Sequence, residues 1–414
     1  MRMLASRAAF RVWSRAALVA MAALLALGCA GRAELIRGDL AGKDLGGLVD
    51  SDPARGLLTE LLARRSTDPS LEARAPSLLT ADVVRELSTN TRARLHQLPD
   101  QARLRELSQE TSMDFAALFF AHAMSADRMS RAVQASFDRF LNDGVAGSQQ
   151  VLQQPGAFPY TVLFAPSWLY RSHPETGADF ARQRRLLDRL GIANRLIESG
   201  ESASIEDNAA AIAAAVRAAA LEEGGGLILV SASKSGAEAA LALSRLLTPA
   251  EAAHVVAWVN IVGALHGTPL VDAALRPPIS WLVRCVFWLS GWDWAGLASM
   301  ATGPSRERLQ DARLPESIAV VNVVAVPLSG SVGSTVWWGY KVLRDHGPND
   351  GVVLLADTVW PGGVNVVAIG PDHLFAPRED DVQGLALLRT IDVAVRLYGV
   401  MRAPSTAVGS GARR

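Results

Sequence analysis

Residues 227–238 read LILVSASKSGAE: an apolar run with β propensity breaks off at small residues, and a helix-forming run takes over at once. A continuous run of Leu, Ile and Val without polar alternation suits a strand covered on both faces, so Leu227–Val230 reads as a central strand. Ser231, Ser233 and Ser235 are small enough for a strand and a helix to pass closely around a sharp turn, and Gly236 follows. The stretch predicts a strand–turn–helix corner with Ser233 at its apex.

Outward from that corner, Tyr160–Ala165, Asn194–Glu198, Val255–Val262, Ile318–Val326 and Val364–Ile369 are further β-like runs. Helical patterns lie between them at Ala178–Leu190 and in the alanine-rich Ile205–Leu221, with Ser202 or Ser204 as its cap. Gly224, Gly225 and Gly226 free the turn into the corner strand. Strands alternating with helices on this spacing predict an α/β protein with a mostly parallel, doubly wound sheet and right-handed crossovers. From Leu35 to Gly144 the pattern is helical instead: Leu57, Leu58, Leu61 and Leu62 share one face, as do Phe115, Leu118, Phe119 and His122. The chain divides into a leader at 1–28, a helical accessory region at 29–150, a sheet domain at 151–400 and a disordered tail at 401–414. A turn-rich link, Gly144–Pro159, precedes the first strand, and an insertion at about 270–316 interrupts the sheet domain.

Two later motifs give the corner a chemical reading. Asn349-Asp350-Gly351-Val352-Val353 precedes the last β-like run, which leads straight into Gly370-Pro371-Asp372-His373. Serine, acid and histidine thus follow one another along the chain. Through S-A-S-K-S-G, N-D-G-V-V and G-P-D-H, residues from about 155 to 400 resemble the α/β-hydrolase superfamily, and within it the bacterial lipases and esterases. The resemblance implies an α/β-hydrolase fold in which Ser233 is the nucleophile on a strained elbow, His373 the base and Asp350 the acid that orients it. The chain departs from the family pattern at two points. Ser231 and Ser235 stand where the elbow usually has glycine, and a long connection separates Val326 from Asp350, which leaves Asp345 and Asp357 as alternative acids. Asp372 reads as a cap for the histidine loop.

The oxyanion formed during such an attack needs fixed backbone donors. In this fold one is the amide after the nucleophile, here Lys234, and the other comes from the loop after the first core strand. That loop reads FAPSWL at 164–169, with Ser167 or Trp168 as donor because Pro166 has no N–H. The Lys234 side chain reads as solvated at the helix start or as a screen over the site; neighbours on such a turn point apart, which disfavours a Ser–Lys dyad. His266 follows a strand end and reads as a structural turn histidine or as a residue lining the pocket; His122 reads as a packed core residue and His96 as a solvated one. The insertion carries Trp281, Trp288, Trp292 and Trp294 within fourteen residues. This is either a lid or acyl-binding cap with an aromatic surface suited to lipid, or a buried cap that only packs. Cys285 there reads as a small buried hydrophobe.

The N-terminus has Arg2, Arg7, Arg11 and Arg15, then an apolar run from Ala16 to Leu27, then Gly28-Cys29-Ala30. A charged start and an apolar core too short to span a bilayer read as a secretory leader. Gly28-Cys29 resembles the lipobox of bacterial lipoproteins, which implies lipidation of Cys29, a membrane anchor in the cell envelope and, from Ala30, the outer membrane; an ordinary cleaved leader is the alternative. With Cys29 lipidated, Cys285 is the one remaining cysteine, so no intrachain disulfide is expected. The formal net charge is zero and half the residues are hydrophobic, which gives no sign of nucleic-acid binding. No metal-ligand spacing and no phosphate-cradling glycine loop is present, so neither metal nor cofactor is expected. The expected activity is hydrolysis of carboxylic esters with an apolar acyl group, small or lipid, through an acyl-enzyme. Thioesterase, amidase or acyltransferase chemistry would use the same residues. The competing class is a non-catalytic envelope lipoprotein that keeps the fold for lipid or protein binding.

Overall fold

The computed structural model describes residues 48–65, 99–154, 156–222, 226–375 and 381–402. The leader, Cys29, His96, Gly224, Gly225 and the tail from 403 lie outside them.

Six strands form one sheet: β1 (Tyr160–Ala165), β2 (Asn194–Leu196), β3 (Gly226–Ala232), β4 (Val255–Ile261), β5 (Ala319–Val326) and β6 (Val364–Ile369). Their order is β2-β1-β3-β4-β5-β6, and every pairing is parallel. β3 to β6 lie almost wholly out of solvent, which is why they read as continuous apolar runs. From β1 the chain moves outward to β2, then returns to build β3 to β6 on the other side. In an open parallel sheet the crevice at such a reversal, beyond the carboxyl ends of the strands, is where ligands bind. Here the crevice lies between the ends of β1 and β3, which run in register from Tyr160–Gly226 to Ala165–Ser231.

Four helices precede the sheet: α1 (Asp52–Arg65), α2 (Gln101–Glu110), α3 (Met113–Met124) and α4 (Arg128–Leu152). They share its cores. Leu58, Leu104, Phe115 and Phe119 pack with Val324 and Val326 of β5 and Ile369 of β6, while Val133, Phe137 and Phe140 of α4 join the opposite face. The turn-rich link expected from Gly144 is instead helical as far as Leu152. Gly144 adopts φ 67°, ψ −165° and kinks α4 without ending it, because Phe140 before the kink and Leu152 after it bury in the same core.

The crossovers follow as α5 (Ala181–Leu190), α6 (Ile205–Glu222), α7 (Lys234–Leu241) and α8 (Pro249–Ala252). α6 starts where Ser204 Oγ accepts the Asp207 N–H at 3.1 Å, one of its two candidate caps. The β4–β5 insertion holds α9 (Pro269–Ala274), α10 (Ile279–Ser290), α11 (Trp294–Ala298) and α12 (Thr302–Leu309); α13 (Trp337–Leu343) lies in the connection after β5, and α14 (Val382–Arg402) ends the described chain. α14 packs beside α4 through Leu385, Leu388 and Ile391. None of the described helices is long and apolar enough to cross a membrane.

One polar feature runs through the sheet interior. Asn260, Asn322 and Asn365 stand side by side on β4, β5 and β6. Asn260 Nδ2 donates to Asn322 Oδ1 at 3.1 Å, and Asn322 Nδ2 donates to Asn365 Oδ1 at 3.0 Å. The ladder also holds the segment after Asp350: Asn260 Nδ2 donates to the Thr358 carbonyl, and Asn322 bonds both the carbonyl and the amide of Trp360. These bonds offset the desolvation cost of the buried amide groups that make them, while Asn260 Oδ1 is buried without a partner among the described residues.

Candidate active site

Ser233 sits at φ 52°, ψ −123°, a conformation that side-chain-bearing residues avoid. It is the strained apex predicted between β3 and α7. The Ser233 carbonyl accepts the amides of Gly236 and Ala264, and its own N–H donates to Ile261, so three contacts hold the strain in place. The serines that replace glycine on either side have work for their hydroxyls. Ser231 Oγ accepts the indole N–H of buried Trp258 at 2.8 Å. Ser235 Oγ accepts the Ala232 N–H at 2.9 Å and lies 2.8 Å from the Ala165 carbonyl, tying the elbow to the end of β1. The close approach that demands glycine falls one place later: a Cβ on Gly236 would lie 2.7 Å from Gly263 Cα and 2.8 Å from Asn260 Oδ1.

His373 Nε2 lies 2.9 Å from Ser233 Oγ, and His373 Nδ1 lies 2.7 Å from Asp350 Oδ2. An ionised carboxylate only accepts, so Nδ1 carries the proton and Nε2 is left to accept from the serine hydroxyl. Asp350 is fully buried. Its Oδ1 accepts the amides of Val352 at 2.9 Å and Val353 at 2.7 Å, leaving Oδ2 for the histidine. The Asp350 carbonyl also accepts the His373 amide at 2.9 Å, so loop and side chain are fixed together. Gly351 makes this turn possible with φ 97°.

The alternative acids are elsewhere. Asp345 is exposed beside Lys341 and Arg344. Asp357 faces His266, at 3.3 Å, and Arg306, at 3.9 Å. Asp372 caps its loop by accepting the amides of Gly333 and Leu374. Burial pushes its carboxyl above the usual range, against the pull of those two amides.

Of the expected oxyanion donors, the Ser167 amide is committed: it donates to the Ala178 carbonyl at 2.9 Å, which removes it from the site. The next amide but one, Leu169, donates to Glu201 at 2.9 Å with φ 54°. Between these two anchors the Trp168 N–H has no partner among the described residues, and neither does the Lys234 N–H. The Lys234 side chain, read as solvated or as a screen over the site, is instead buried and paired with Glu238 of the same helix, with its ammonium 5.5 Å from the Trp168 ring centroid.

The insertion stands over this edge. Phe287 of α10 is buried in an apolar cluster with Ile205, Ala237 and Leu297, which Trp168, Trp292 and Trp294 border. The other face of α10 is open to solvent, with Trp281 67 % and Trp288 81 % exposed. Cys285 lies on that exposed side, because the helix turns Val286 and Phe287 inward instead. Among the described residues no group of His, Cys, Asp and Glu could hold a metal ion.

A parallel sheet with the elbow after β3, the acid after β5 and the histidine after β6 is the α/β-hydrolase arrangement. No family model and no curated protein matches the sequence. Among solved structures, the chain is similar to the metagenomic carboxyl esterase MGS0156, at 24% identity over 58% of this chain and 76% of that one, with a TM-score of 0.46. It is also similar to the Bacillus licheniformis lipase BlEst2 in mature form, at 21% identity over 59% and 93% of the two chains and a TM-score of 0.44. The phospholipase PlaB from Legionella pneumophila follows at 16% identity over 48% and 45%, with a TM-score of 0.33. At these values the fold rests on strand order and elbow geometry rather than on the superpositions.

Proposed function

We propose that the protein is a serine hydrolase that cleaves carboxylic esters with an apolar acyl group. The observation that carries this reading is the unbroken hydrogen-bond chain from Ser233 Oγ through His373 to Asp350. His373 Nε2 removes the serine proton as Oγ attacks the ester carbonyl, and Asp350 stabilises the imidazolium that results. The amides of Lys234 and Trp168 receive the oxyanion, each contributing about 3 kcal/mol of transition-state stabilisation. The imidazolium returns its proton to the leaving alcohol, and water, activated by the same histidine, releases the acid. The apolar cluster under α10 includes Ala237, four residues after the nucleophile, and favours a hydrocarbon acyl chain. The leader and Cys29 add a lipid anchor in the cell envelope to this reading; Cys29→Ser is expected to move the protein from the membrane fraction to the soluble one.

Hydrolysis of p-nitrophenyl esters of increasing acyl length tests the reading, together with labelling by a fluorophosphonate, which reacts readily only with an activated serine. Activity and labelling are expected in the wild type and absent in Ser233→Ala. A wild type inert to both reagents would transfer the fold to the non-catalytic class.

A further inference from the structure

Lys234 follows the nucleophile directly, yet its side chain is 2% exposed and so is that of Glu238, its partner one turn along α7. Glu238 Oε1 also accepts from Asn208 Nδ2 at 2.9 Å. Asn208 is itself locked, since its amide bonds both the carbonyl and the N–H of Gly200 at 2.9 Å. Burial raises the Glu238 carboxyl, while Lys234 and Asn208 pull it down. Glu238 Oε2 has no partner among the described residues. A buried ion pair of this kind is weak evidence for stability, because well-packed apolar residues often replace such pairs without loss. Its place in the fold suggests another purpose.

The Lys234 ammonium lies 5.5 Å from the Trp168 ring centroid, close enough for a cation–π attraction that desolvation strengthens. The same ring also meets Phe287 of α10, with centroids 6.2 Å apart. The Trp168 peptide is pinned on either side by the Ser167–Ala178 and Leu169–Glu201 hydrogen bonds, and its own N–H is left unused. The ring is therefore the remaining handle on that amide.

We propose that Lys234 is a positioning residue for the oxyanion hole: its ammonium, anchored by Glu238, holds the Trp168 ring so that the Trp168 amide and its own amide converge on one point. Lys234 thus acts twice, by its backbone directly and by its side chain through Trp168. This inference rests on the hydrolase reading above.

The test compares wild type with Lys234→Met/Glu238→Leu, which replaces both charges by apolar groups so that no buried charge is left unpaired. Melting temperature, kcat and KM for p-nitrophenyl butyrate, and inhibition by an alkyl trifluoromethyl ketone that forms an oxyanion on Ser233 are measured. The expected result is a melting temperature at or above that of wild type and a kcat lower by about 30-fold, toward the loss of one oxyanion donor. KM is expected to stay within about twofold, because only the transition state carries the oxyanion. Inhibition by the ketone is expected to weaken in proportion to kcat/KM. A double variant that melts like wild type and retains wild-type kcat would overturn the proposal. A cycle with Trp168→Leu gives a second reading: the losses should not multiply, since Lys234 acts through the ring, and multiplicative losses would also overturn it. Fluorophosphonate labelling separates the two levels. Wild type that labels while the double variant keeps full turnover removes this inference alone; wild type that never labels removes the hydrolase reading and this inference with it.

Discussion

The carboxyl edge of the sheet and the outer face of α10 are built on opposite rules. At the edge, Ser233, His373 and Asp350 each have a hydrogen-bonded place, and Ser231 and Ser235 are drawn in beside them. On α10, Trp281, Leu282 and Trp288 are more than 60% exposed and no described residue covers them. The edge has little freedom to change, because each side chain there completes another. The α10 face has freedom in composition but carries apolar surface that an ordinary solvated helix would not. Under the proposed function, the reaction is assigned to the first region and the choice between dissolved and aggregated substrates to the second.

The largest effects are expected at the edge. Ser233→Ala or His373→Ala should reduce kcat/KM by about 10^5-fold or more, and Asp350→Asn by about 10^4-fold, since an amide in that place holds the wrong histidine tautomer. Circular dichroism and melting curves should remain those of a folded protein. A variant of any of the three with near-wild-type turnover would break the contrast between the regions.

The edge also has a pH-sensitive flank. Fully buried Asp114 accepts the amide and hydroxyl of Ser329, in the loop after β5, both at 2.9 Å, and the Asp50 amide at 2.8 Å. Burial first, and the Asp50 carboxylate second, push its carboxyl up to about 7. The folded state then binds a proton that the unfolded chain releases near pH 4, so this group's contribution to stability is present below pH 4 and is lost as pH rises toward 7. The upper bound on that change is about 4 kcal/mol. Denaturant melts at a series of pH values should show the decline, and Asp114→Asn should flatten it; an equal decline in both proteins would assign the effect to other groups.

A smaller loss is expected from Gly263→Ala. Its Cβ would run into Asn260 Oδ1 beneath the elbow, costing about 1–3 kcal/mol as overpacking. The smallest effects should come from α10. Trp281→Ser with Trp288→Ser should leave stability within about 0.5 kcal/mol and turnover of dissolved short esters unchanged, while lowering turnover of emulsified long-chain esters several-fold. Equal turnover of both substrate forms would free this face from any part in catalysis.

Much of the edge was legible in sequence because its signals are local. Tyr160–Ala165 and Val364–Ile369 end where their apolar runs end, and Ser233, Asp350 and His373 are marked by the turns they occupy. Asp350 stays within reach of His373 despite the long connection because that connection is itself structured: it contains α13, whose Tyr340 carbonyl lies 3.4 Å from Asn349 Nδ2. What was illegible depends on distant partners. The burial of Lys234 requires Glu238 but also Asn208 from α6 and Trp168 from the β1 loop, whereas a Lys–Glu spacing of four residues alone reads as a solvated pair. That the Ser167 amide is taken up by the Ala178 carbonyl, leaving the Trp168 amide without a backbone partner among the described residues, is something no local pattern announces. The run of α4 through Gly144 depends on the core that Phe140 and Leu152 share.

The asparagine ladder has a consequence for how this molecule comes apart. Asn260 backs the elbow at Gly236, and with Asn322 it grips Thr358 and Trp360 just downstream of Asp350, while Asn365 lies on the strand that leads to His373. Three strands and one loop are thereby laced into a single opening unit, of the kind whose backbone amides exchange with deuterium together. The pieces of the hydrogen-bonded chain, though far apart along the polypeptide, are then lost in one cooperative event, so a protease or a warming solution should find molecules that are whole or inert, with little partial competence between them.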